Sequence, residues 1–86
     1  MNVQDNIISI NHSVTRIVNA VIQSNREIGQ IDSLFELGLD SIQCMRIIIE
    51  LEKEFNIEIE DDDLLIKKYE TISSISELVN KLVSKI

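Results

Sequence analysis

Proline is absent from the 86 residues, and glycine occurs only as Gly29 and Gly38. A turn-rich β fold needs both residue types as punctuation, so their scarcity favours helices. Aromatic residues make up 3% of the chain and tryptophan is missing. The core must therefore be aliphatic, and a hydrophobic content of 44% can supply it. A single cysteine, Cys44, excludes an internal disulfide and fits a reducing compartment. Positive charge is also scarce: 8 Lys and Arg stand against 15 Asp and Glu, a net charge of −7. Nucleic acid is bound by clustered Lys and Arg, so it is not an expected partner. An acidic surface suits basic patches on other proteins, and equally serves solubility alone. No apolar run approaches the roughly 20 residues that span a bilayer, so no membrane association is expected. The opening Met1-Asn2-Val3-Gln4-Asp5 lacks a basic stretch followed by an apolar one, so no secretory signal is expected. These absences lead to the expectation of a cytoplasmic, monomeric, single-domain protein over residues 1–86.

Four segments carry helical periodicity. Ile7, Ile10, Val14, Ile17 and Val21 step by three and four, which predicts a first helix over about 3–24. Residues 25–40 read as a long loop, yet Ile28, Ile31, Leu34, Leu37 and Leu39 are too apolar to float. Several of them should pack over helix ends, and a compact loop of this length often serves a function. A second helix is predicted from about Ser41 to Phe55, with Asp40 as its N-cap. Its apolar residues cover more than one stripe, so one face is either core or turned to a partner. Asp61-Asp62-Asp63 suit the start of a short third helix, with Leu64, Leu65, Ile66 and Tyr69 as its apolar face. Ser74-Ile75-Ser76-Glu77 has capping-box spacing and predicts the start of a last helix, with Ile75, Leu78, Val79, Leu82 and Ile86 as its stripe.

The most informative string is Leu37-Gly38-Leu39-Asp40-Ser41-Ile42. It sets a serine on the first turn of a helix, just after a glycine-containing loop. A helix N-terminus offers free N–H groups and the positive end of the dipole, and so tolerates a phosphate. An exposed hydroxyl there is a good place to build a phosphodiester. Gly38 permits an unusual backbone angle or the close approach of another chain. Taken without the rest of the chain, Asp40 and Ser41 read first as ordinary capping residues.

The string resembles the attachment motif of the acyl carrier protein family, in which Gly-x-Asp-Ser precedes an apolar residue at the head of the second helix. The resemblance extends through the long first helix, the apolar loop, the run from Ser41 to Phe55, Ile57-Glu58-Ile59, and the Ser-Ile-Ser-Glu-Leu start of the last helix. It covers about residues 5–84. It implies an all-α four-helix bundle with three longer helices and one short third helix. It implies a covalent 4′-phosphopantetheine on Ser41, placed there from coenzyme A by a phosphopantetheinyl transferase with Mg²⁺. Asp40 would help hold that Mg²⁺, and Gly38 would belong to the same attachment site. The thiol of the arm, not Cys44, would carry acyl groups as thioesters for loading and processing enzymes. Leu39, Ile42, Met45, Arg46 and Ile49 are implied to face partners, with core packing the competing reading for the three apolar positions of the helix. Fatty-acid carriers usually show acids early on this helix, where Gln43 and Arg46 stand here. A basic residue should weaken docking to strongly basic enzyme patches, so the wording is more similar to discrete carriers of polyketide, nonribosomal peptide or other specialised pathways.

Other constellations carry less. Asp61, Asp62 and Asp63 lack the spaced ligands and terminal Glu of a calcium loop, and read as an acidic helix-capping face. His12 is the only histidine, expected to be solvated on the first helix. A serine hydrolase would need a base beside Ser41, and no Gly-x-Ser-x-Gly elbow is present. Cys44 has neither a second Cys nor a neighbouring His for a metal, so it reads as a small packing residue. No enzymatic activity is expected. The alternative to a carrier is an unmodified small helical interaction module.

Overall fold

The computed structural model describes the backbone of residues 3–23 and 27–84, and side chains from residue 8 onward within those ranges. Residue 24, at the expected end of the first helix, and Ile86 of the last stripe lie outside the described residues, as does the side chain of Ile7. The described chain is all-helical: α1 spans Val3–Ile22, α2 Ser41–Phe55 and α3 Ile72–Ser84. No strand occurs among the described residues. α1 packs against both α2 and α3, while α2 and α3 touch sparingly. No described helix is long and apolar enough to cross a membrane.

The α1 stripe behaves as its spacing dictates. Ile10, Val14, Ile17 and Val18 are buried and meet Cys44, Ile47, Ile48 and Leu51 of α2 and Ile72, Ile75, Leu78, Val79 and Leu82 of α3 in one core. α2 ends where Asn56 turns left-handed at φ 52°, a conformation asparagine tolerates better than most residues. The N–H of Ile57 then reaches back to the Glu52 carbonyl at 3.2 Å.

The long loop is anchored rather than free. Ile28, Leu34 and Leu39 are buried in the core, and Phe35 and Leu37 pack against it. Ile31 is the exception, 84% exposed. The Leu34 N–H donates to the Glu70 carbonyl at 2.8 Å, and Ser73 N–H to the Gln30 carbonyl at 3.0 Å, which ties the loop to the approach of α3.

Two expectations change. Where a short third helix was expected, the chain makes two 3₁₀ turns, Asp61–Asp63 and Ile66–Tyr69. Only Tyr69 of the expected apolar face is buried; Leu64, Leu65 and Ile66 are 38%, 59% and 57% exposed. The reason is Asp63, which is not a solvated cap. Its carboxylate is buried and ion-paired with Lys68 and Lys81, and the Tyr69 hydroxyl donates to its carbonyl at 2.7 Å. These bonds pull the segment inward at 63 and 69 and turn the residues between them outward. α3, in turn, starts two residues earlier than the Ser-Ile-Ser-Glu box predicts. Thr71 Oγ1 accepts from Ser74 N–H at 3.0 Å, and Ser74 Oγ accepts from Thr71 N–H at 3.2 Å. The reciprocal cap is therefore Thr71 with Ser74, and Ser76 is buried within the helix.

Candidate functional site

Ser41 is the first residue of α2, and its position is set from both sides. Before it, the chain makes a tight turn: Leu37 and Leu39 N–H groups both donate to the Leu34 carbonyl, at 3.1 and 2.9 Å. Gly38 closes this turn at φ 106°, a region side chains disfavour. A Cβ there would meet nothing within 4 Å, so the glycine answers a backbone demand and not a steric one. Leu39, expected to face partners, is instead 5% exposed and closes over the core. It serves the site as the anchor that holds the turn down.

After the turn, Asp40 adopts extended backbone and caps α2. Its Oδ1 accepts from Gln43 N–H at 2.8 Å, and its carbonyl accepts from Cys44 N–H at 2.9 Å. The N–H groups of Ser41 and Ile42 find no protein acceptor among the described residues. Two free donors at the positive end of a four-turn helix make a good setting for an anion on the Ser41 oxygen. Asp40 and Ser41 are both exposed, so a second protein can reach them.

The rest of α2 divides by angle around the helix. Cys44, Ile47, Ile48 and Leu51 face the core. Ile42, Met45 and Ile49 are 70%, 51% and 46% exposed, which removes core packing as their explanation. Their spacing puts them on one apolar face with Ser41 at its edge. Arg46 and Glu50 lie exposed along the other edge of that face. Gln43 is half-buried, its Oε1 out of solvent with no hydrogen-bond partner, so it does not share the exposed face. Arg46 alone alters the charge there.

Two further residues bear on the chemistry. Burial raises the Cys44 thiol above its ordinary pKa, which keeps it protonated and a poor nucleophile. His12 is exposed on α1. No group of three or more metal-binding side chains occurs among the described residues.

Residues 12–79 match the phosphopantetheine attachment site family. The chain belongs to that family. The domain is an attachment site for 4′-phosphopantetheine, which this family holds covalently on a serine. Within the matched span, Ser41 is the one described serine that is exposed; Ser13, Ser33, Ser73 and Ser74 are half-buried and Ser76 is buried. The chain is also similar to an acyl carrier protein of Chlorobium phaeobacteroides, at 36% identity over 50 residues. That stretch covers 58% of this chain and 58% of the relative, so the likeness spans little more than half of the relative's length.

The surroundings of Ser41 fit the family's group. A phosphodiester on its exposed oxygen would lie at the positive end of α2. The structure places Ser41, Asp40 and Gly38 together at the head of α2, with Asp40 as the expected cap and Gly38 at the expected unusual angle. Arg16 of α1, which shares a groove with Arg46, is not legible in the sequence, because neither spacing nor motif ties a residue of α1 to one of α2.

Proposed function

We propose that the protein is an acyl carrier whose Ser41 bears the phosphopantetheine arm. The observation that carries this reading is an exposed serine at the first position of α2, capped by Asp40 and backed by free N–H groups, inside a matched attachment domain. A phosphopantetheinyl transferase would join the Ser41 Oγ to the phosphorus that bears pantetheine in coenzyme A. The bond from that phosphorus to the adenosine bisphosphate breaks, and the hydroxyl proton leaves to a base of the transferase. Asp40 can assist because capping uses only its Oδ1; the second oxygen is free to approach the transferase's Mg²⁺.

The arm supplies a thiol that holds acyl groups as thioesters. The bundle performs no catalysis on them. It presents them to loading and processing enzymes, which dock on Ile42, Met45 and Ile49 and on Arg46 beside them. Arg46 on this face favours a polyketide, nonribosomal peptide or other specialised pathway over the housekeeping fatty-acid one. We read the protein as a cytoplasmic monomer, which light scattering of the purified chain checks for oligomeric state.

The test is direct. The protein is incubated with coenzyme A, Mg²⁺ and a broad-range transferase, and its intact mass is measured. We expect a gain of one phosphopantetheine in the wild type and none in Ser41→Ala. No gain in the wild type, or an equal gain in the variant, would sink the carrier reading and leave the unmodified interaction module.

A further inference from the structure

We propose that the groove between α1 and α2 receives an acidic and apolar side-chain pair from the docking enzyme. The groove holds about 380 Å³ and has an apolar floor of Ile17, Ala20, Val21 and Ile49. Arg16 stands over it from α1, and Arg46 and Glu50 from α2. Its lining therefore carries two guanidinium groups and one carboxylate, on a chain whose net charge is −7. Glu54 neutralises Arg16 and Glu50 lies one turn from Arg46, so the groove is close to charge balance on an acidic molecule, with the Arg46 guanidinium left without an ion pair among the described residues.

The two arginines are placed differently. Arg16 donates to Glu54 Oε1 at 2.8 Å, which steadies its side chain across the helix pair. Arg46 has no ion-pair partner among the described residues, and Glu50, one turn further on, does not supply one. An exposed guanidinium above an apolar floor is matched by a carboxylate beside an aliphatic or aromatic side chain. The planar fork can take the carboxylate in two parallel hydrogen bonds while the floor takes the apolar neighbour.

Position makes the groove part of the docking footprint. Ile49 belongs both to the groove and to the exposed face of Ile42 and Met45. Arg46 lies five residues from Ser41, about 7.5 Å along the helix axis at the rise of an α-helix. An enzyme that reaches Ser41 along α2 therefore meets Arg46. A uniformly basic docking face, attractive to the rest of this acidic chain, would be repelled at that point. The groove thus selects an enzyme whose docking face is basic elsewhere and acidic here. The inference rests on the carrier reading for the visitor's being a biosynthetic enzyme.

The experiment uses the full ¹⁵N-labelled chain and two short amphipathic helical peptides, one presenting Leu and Glu on one face, the other a twin with every Glu replaced by Lys. At 0.15 M salt, where the field of the acidic chain is screened beyond about 8 Å, the Glu peptide should saturate shifts of the Arg16, Ala20, Val21, Arg46 and Ile49 amides. It should bind at least about fivefold more tightly than its twin, in line with one or two partly exposed charge pairs. Arg46→Gln should remove most of that preference and Arg46→Glu should reverse it, and added salt should weaken the Glu peptide. Equal binding of both twins, shifts confined to Ile42 and Met45, or no shifts at all would overturn the proposal. Loading of the wild type with coenzyme A separates the two claims. If Ser41 gains the arm and the groove stays silent, the groove proposal falls alone. If the Glu peptide seats and Ser41 never gains the arm, the carrier reading falls and the groove stands as a partner site.

Discussion

Asp40 serves the fold with one oxygen and, on our reading, the modification with its charge, and two substitutions separate these roles. Asp40→Ala removes the cap on Gln43 N–H and should cost about 1 kcal/mol of stability, read from denaturant unfolding. Asp40→Asn keeps a good capping side chain and loses the charge. It should melt close to the wild type yet take up the arm markedly more slowly. Wild-type loading by Asp40→Asn would remove the proposed part in holding Mg²⁺. Cys44 poses a related question of which thiol works. It is 5% exposed and its pKa is raised by burial, so it stays a thiol at neutral pH. Native protein without the arm should react slowly with a disulfide reagent, and protein with the arm should show one additional fast thiol. Rapid reaction of the armless protein would mean that Cys44 is a nucleophile after all. Gly38 is the residue whose sequence reading was most physical: the chain needed freedom there, and its φ of 106° is that freedom in use. Leu39, one residue on, could not be read so well. An apolar residue in a loop can face a partner or the core, and its burial among core residues, in a turn held by the Leu34 carbonyl, decides for the core.

At the scale of elements, the start of α3 gives the sharpest test. Two serine-rich frames compete for the cap, and the structure chooses Thr71 with Ser74. Thr71→Ala should cost about 1 kcal/mol by loss of this cap, whereas Glu77→Ala should change stability little. The reverse order, by thermal or denaturant melts, would restore the Ser74–Glu77 box. α2 was legible end to end because its cap lies next to its apolar stripe, both local in sequence. The stretch between α2 and α3 was not. Leu64, Leu65, Ile66 and Tyr69 have the spacing of a helical face, and spacing alone does not show that Asp63 beside them is buried and paired with Lys68. Part of what holds the segment comes from far along the chain. Lys81 of α3 reaches back to Asp63 at 3.2 Å, and the Glu52 carboxylate of α2 takes the Ile59 N–H at 2.9 Å. The first fixes a side chain and the second satisfies a backbone N–H without a helix, and periodicity has no view of either. The same limit hid the α1–α2 groove, whose two arginines are thirty residues apart in sequence.

At the scale of the whole molecule, one ion cluster works against a general excess of negative charge. Asp63 is held below its ordinary value of 3.8, first by the hydrogen bond from Lys68 and also by Lys81, with its own burial acting in the opposite sense. The folded chain therefore binds this proton more weakly than the unfolded chain does. The resulting stability is complete above the ordinary aspartate range and is lost as pH falls through the lowered folded value. Asp63→Asn should consequently be less stable than the wild type at pH 7, and the gap should close as acid protonates the wild-type carboxylate below about pH 4. A gap that persisted unchanged into acid would assign the loss to packing rather than charge. The remaining acids act differently. With 15 Asp and Glu against 8 Lys and Arg, the compact chain repels itself at neutral pH. Raising ionic strength from 0.01 to 0.15 M shortens the screening length from about 30 to about 8 Å, which weakens repulsion between distant surface charges more than the short, buried contacts of Asp63. The melting temperature at pH 7 should therefore rise with salt in both proteins, and Asp63→Asn should stay below the wild type throughout. A wild-type melting temperature that fell with salt would show the ion pairs, not the excess charge, to dominate. The same titration bears on docking, because salt that steadies the bundle must at the same time weaken any partner held by charge to α2.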